Sequence, residues 1–166
     1  MHTAGPHHPV HPVVFMFLIL PFGVMGGYVT VALAYLYSKA GIPVAQVAAF
    51  VAVGLVPHTW KFIWAPLVDA TLSRKSWYLI ASVFSAAGIL ATGIVPVQAA
   101  RLPLLKAVIL VSNFAVTFLG MATDSLMAYS TPAELKGRAG GWFQAGNLGG
   151  TGVGGGVGLW LAQRLP

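Results

Sequence analysis

Apolar residues in this chain do not alternate with polar ones at a strand or surface-helix period. They run together in blocks, interrupted by short polar or charged stretches. Val13 to Tyr37 carries no charged residue, and at about 25 residues it is long enough to cross a ~30 Å hydrocarbon core with some tilt. Similar blocks cover residues 44–68, 77–97, 104–129 and 139–161. They are too long and too continuous for the ~10-residue alternating strands of a membrane barrel. The pattern therefore predicts an all-α multi-pass membrane protein with five transmembrane helices at those positions. A polar tail over residues 1–12 precedes this transmembrane domain of residues 13–166. Five spans would put the two ends on opposite sides of the bilayer. Pro21, Gly23, Gly26 and Gly27 fall inside the first span, where they predict a kink or a close helix approach. The tail lacks Lys and Arg, and the first block exceeds the apolar core of a signal peptide, so a retained helix is the better reading.

Composition agrees with a lipid environment. The chain is 57% hydrophobic and 7% charged, against about 25% charged residues in an ordinary soluble domain. Cysteine is absent, which excludes disulfides, zinc–thiolate sites and thiol catalysis. The net charge of +6 does not point to nucleic acid, because most cations sit between apolar blocks, where they meet lipid headgroups. With the N-terminus inside, Arg74, Lys75, Lys136 and Arg138 balance Lys39, Arg101, Lys106 and Arg164 outside, so the positive-inside rule is silent. His2, His7, His8 and His11 lie among prolines without a carboxylate or thiol nearby. A disordered tail is expected there rather than a metal site. No H-E-x-x-H motif or Ser/His pairing points to an enzyme, and no cofactor or metal is expected.

Three ionisable side chains fall inside spans, where they are costly and by default functional: His58, Lys61 and Asp124. His58, Lys61, Ala65 and Asp69 follow spacings of three, four and four, one stripe of a continuous second helix. Lys61 and Asp124 are expected at similar depth, either paired across the bundle or lining one aqueous cavity. The bland alternative is a snorkelling lysine and an interfacial aspartate. Pro66 removes a hydrogen bond to the Phe62 carbonyl and is the expected flexing point of that helix. Asp69 at the end of one helix, and Arg74 and Lys75 at the start of the next, all oppose the helix dipoles. They make sense if they satisfy one another or a third element; for the two cations, anionic lipid is the alternative.

The fifth span is dominated by glycine. Its G-x-G-x-x-G match at Gly150–Gly155 lacks the strand and acidic residue of a dinucleotide site. Small-xxx-small pairs over Gly146, Gly150, Gly152, Gly154, Gly156 and Gly158 predict close helix packing, either static or at an interface that rocks.

Asp69 followed by Arg74-Lys75 resembles the loop signature between helices 2 and 3 of the major facilitator superfamily, with Ala65 in place of its leading glycine and Ala70 in place of its first cation. The run Lys61-Phe62-Ile63-Trp64-Ala65-Pro66-Leu67-Val68-Asp69 is similar to a stretch of AmpG-type muropeptide permeases and their acetyl-CoA transporter relatives. The resemblance implies the N-terminal part of a secondary transporter that moves a small solute, with proton coupling, by alternating access. It places the protein in a bacterial inner membrane with the N-terminus cytoplasmic. It makes Asp69, Arg74 and Lys75 a cytoplasmic gate and leaves His58, Lys61 and Asp124 for the substrate or proton pathway. It also implies that the basic residue of the signature engages an acid near the cytoplasmic end of the fourth helix, here Asp124. Five spans are one short of a transporter half, so the expected partners are a missing C-terminal half or another membrane chain, besides lipid and solute. A non-transporting membrane assembly subunit is the competing reading.

Overall fold

The computed structural model describes residues 10–96 and 98–164, the side chain of Asp69 excepted. The histidine tail, apart from His11, lies outside the described residues.

The first block forms one rod of three parts: α1 (Val14–Gly27), a π-helical segment (Tyr28–Leu33) and α2 (Ala34–Lys39). The backbone widens just after Gly26-Gly27, and there the Thr30 hydroxyl donates to the Gly26 carbonyl at 2.8 Å. The rod stops at Gly41, whose φ of 77° suits a residue without a Cβ. Pro43 then precedes α3.

The second block is not one straight helix. It splits into α3 (Val44–Thr59) and α4 (Lys61–Ala70), bent by 46° at Trp60. Two prolines frame the break. Pro57 lies inside α3 and Pro66 inside α4, and each removes one backbone donor. Thr59 adds to it by donating its hydroxyl to the Val56 carbonyl at 2.8 Å. The flexing point expected at Pro66 is therefore found six residues earlier, between the prolines.

The third helix, α5 (Arg74–Ile94), begins three residues before its apolar block because Ser73 caps it, accepting from the Ser76 amide at 3.1 Å. The fourth, α6 (Leu102–Ser130), starts with a proline in its first turn. The glycine-rich fifth, α7 (Lys136–Arg164), is 29 residues long.

Contacts fix the helix directions. Phe22 meets His58 while Tyr37 meets Phe50, so the first rod and α3 are antiparallel. Trp77 stacks on Phe118 and Arg74 reaches Ser125, so α5 and α6 are antiparallel. Gly146 lies against Met16 and Gly158 against Ala32, so α7 runs parallel to the first rod. This is the up-down order of a chain threading a bilayer. Three segments, Val14–Lys39, Arg74–Ile94 and Ala99–Ser130, are long and apolar enough to span it, and the bent pair makes a fourth. The fifth is long enough to span, but glycine in place of larger apolar side chains keeps its hydropathy low.

Two apolar clusters fill the bundle. One joins Met25, Val29, Leu33 and Tyr37 to Phe50, Leu105 and Ile109. The other gathers Ile19, Val68, Ala81, Phe118 and Leu119 toward the opposite end. Large apolar side chains such as Phe17, Val83, Leu90 and Ile94 are exposed on the outside, the surface a bilayer covers.

Candidate functional site

The bend at Trp60 puts His58 and Lys61 on different helices, His58 closing α3 and Lys61 opening α4. The single stripe from His58 to Asp69 is thereby divided. His58 and Lys61 face different cavities.

His58 borders a cavity of about 320 Å³ lined mainly by apolar groups of the first rod, α3 and α6 and closed by Asn147 and Thr151 of α7. Its Nε2 lies 3.4 Å from Asn113 Oδ1. The Asn113 amide nitrogen already donates to the Ile109 carbonyl at 3.0 Å. The amide therefore presents its oxygen to the ring, which selects the imidazole protonated at Nε2. Phe22 packs edge-on to His58 with centroids 5.4 Å apart and holds the ring in place.

Lys61 and Asp124 line a second cavity of about 270 Å³, with Ile19, Phe22, Thr117, Gly120, Phe143 and Asn147. No cation–carboxylate contact within 4.0 Å occurs among the described residues, so the two charges face one space without touching. Thr117 is held in place, accepting from the Trp64 indole at 3.1 Å and donating to the Phe114 carbonyl at 2.7 Å. Phe22 and Asn147 border both cavities and form the wall between them.

Sequence reasoning passed over Asn113, Thr117 and Asn147. Each is a polar side chain within an apolar or glycine-rich helix, and that was the available signal.

At the end of the bundle carrying the α4–α5 turn, Arg74 crosses to α6. Its Nε donates to Ser125 Oγ at 2.7 Å, and its guanidinium sits 4.3 Å from the centre of the Tyr129 ring. Arg74 thus meets Ser125 and Tyr129, not Asp124. Ser125 and Tyr129 are four apart and share a face, whereas Asp124 is turned by about 100° toward the cavity. Lys75 is exposed. Asp69 lies in the last turn of α4, and its side chain lies outside the described residues.

The glycines of α7 divide between two faces. A Cβ on Gly146, Gly150 or Gly154 would overlap the carbonyl oxygens of Met16, Leu20 or Val24, and one on Gly158 would press on Ala32. Gly23 and Gly27 answer from α1, approaching the backbone of Asn147 and Thr151. Gly152 and Gly156 have open space around the position of a Cβ. Among the described residues no group of three or more His, Cys, Asp or Glu could hold a metal ion.

An apolar bundle of alternating helices, with three spans and a bent fourth among the described residues, is a multi-pass membrane protein. The sequence model of the BT1 family matches residues 22–161, and the chain belongs to that family, which lies within the major-facilitator-like group of transporters. No curated protein and no solved structure matches the chain.

Proposed function

We propose that this protein is a secondary active transporter, moving a small solute by alternating access with proton coupling. Family membership supports the transporter class. The observation that carries the mechanism is the pair Lys61 and Asp124, which border one cavity without a contact within 4.0 Å. In this reading the pair contacts solute or protons, and His58 with Asn113 lines the neighbouring part of the path. Asp69, Arg74 and Lys75 form the gate at the cytoplasmic end, with Arg74 tying α5 to α6. The likeness of the Lys61–Asp69 run to AmpG-type permeases supports a reading as a member of that branch, in a bacterial inner membrane with its N-terminus cytoplasmic.

The test is uptake into sealed vesicles under an imposed proton gradient. The reading expects Lys61→Ala and Asp124→Asn to reduce gradient-driven flux strongly, and Asp69→Ala to impair it. Full flux in the first two variants would remove Lys61 and Asp124 from the mechanism.

The second reading, a membrane assembly subunit, draws on the open glycine face of α7 at Gly152 and Gly156. Crosslinking through those positions to another chain, without flux of any solute, would favour it.

A further inference from the structure

Phe22, in α1, packs against both apolar clusters and borders both cavities, and no other described residue does both. Its ring bridges two helices. It meets the His58 imidazole of α3 edge-on, with centroids 5.4 Å apart and planes at 81°. It also lies against Gly120 of α6, where an added Cβ would stand 3.2 Å from Phe22 Cε2 and 3.3 Å from Cδ2. Gly120 thus leaves the space that the ring fills.

The other residue common to the two linings is Asn147. Its backbone is fixed. A Cβ on Gly23 would overlap the Asn147 carbonyl, and that carbonyl accepts from the Thr151 hydroxyl at 3.0 Å. The Phe22 ring has no hydrogen bond to hold it and turns by side-chain rotation alone. Beneath it, Pro21 leaves the Phe17 carbonyl without its helical donor. Asn147 is the frame of the wall and Phe22 its movable part.

The cavities lie toward opposite ends of the bundle. The one beside Lys61 reaches Asp124, next to the Ser125 that Arg74 contacts at the start of α5. The one beside His58 runs past Gly26 and Thr30 toward α2. From this geometry we infer that Phe22 is an internal gate: its ring divides the solute path into two compartments, and passage between them requires the ring to swing aside. The bend in the second span bears on the ring, because His58 closes α3 just before Trp60. A change in the 46° angle shifts the imidazole that the ring rests on.

This inference rests on the transporter reading and names the residue that divides its path. The test uses the full chain in sealed vesicles, with a hydrophilic maleimide added to the face that carries the α4–α5 turn. Lys75→Cys, exposed at that turn, identifies the face. Lys61→Cys reports the near compartment and Thr30→Cys the far one. With Phe22 in place, position 61 is expected to label at least about ten-fold faster than position 30, since access governs thiol labelling. Phe22→Leu keeps an apolar side chain but removes the ring, and should abolish the difference by speeding position 30. Phe22→Tyr keeps the ring and should preserve it. Equal labelling of positions 61 and 30 with Phe22 intact would overturn the inference without recourse to any gate variant. So would a difference that Phe22→Leu leaves unchanged, or one that Phe22→Tyr also abolishes. Vesicle uptake separates the gate from the parent reading. Gradient-driven flux with equal labelling contradicts the gate alone. Unequal labelling that Phe22→Leu removes, without flux of any solute, supports the gate and contradicts the transporter reading.

Discussion

Gly154 and Gly152 are two residues apart on one helix and have opposite surroundings. A methyl group on Gly154 would overlap the Val24 carbonyl, while one on Gly152 meets nothing. Gly154→Ala is therefore expected to destabilise the protein by about 1–3 kcal/mol through overpacking. Gly152→Ala should be neutral or stabilise by up to about 1 kcal/mol, because alanine is the better helix former. Thermal melting in detergent micelles checks both, and equal effects would contradict the packing. The small-xxx-small spacing was legible in the sequence, but the face that packs was not. Both sets of glycines repeat every four residues, and a helix with so few large side chains carries no apolar asymmetry to orient it. Arg74 gives a second residue-level prediction. Its contact with the Tyr129 ring should appear in a double-mutant cycle of Arg74→Gln and Tyr129→Leu as a coupling of about 0.5–1 kcal/mol. A coupling indistinguishable from zero would mean the contact contributes nothing to stability. The sequence marked Arg74 as a cation needing a partner, and its partners were hidden because Ser125 and Tyr129 are not charged.

At the level of elements, the break in the second span changes the chemistry most. A continuous helix would align His58 and Lys61 on one stripe; the 46° bend turns them to separate cavities. Pro57 and Pro66 were both visible in the sequence. The effect of the pair depends on Trp60 between them leaving the helical conformation, at φ −107° and ψ 3°, which neither proline dictates alone. Restoring both donors with Pro57→Ala and Pro66→Ala is expected to straighten the span. Spin labels near its two ends, at Val44 and Leu72, would then move apart relative to the parent chain, and an unchanged distance would place the cause of the bend elsewhere. The start of α5 was misplaced by three residues for a simpler reason: hydropathy finds the apolar block, whereas the helix begins at its Ser73 cap.

For the molecule as a whole, block-like apolarity was enough to predict an all-helical membrane bundle, because 7% charged residues, against about 25% in a soluble domain, are too few to coat a water-facing surface. Helix directions followed from the short loops. The cavities did not, since they arise where four helices fail to close around Phe22 and Asn147. The central claim is that Lys61 and Asp124 face an aqueous solute path, and the natural absence of cysteine makes it directly testable. Lys61→Cys, Asp124→Cys and the lipid-facing control Val83→Cys would each be exposed, in membrane vesicles open to both faces, to a hydrophilic maleimide. The account predicts rapid labelling at positions 61 and 124 and slow labelling at 83. Labelling at 61 and 124 as slow as at 83 would contradict it.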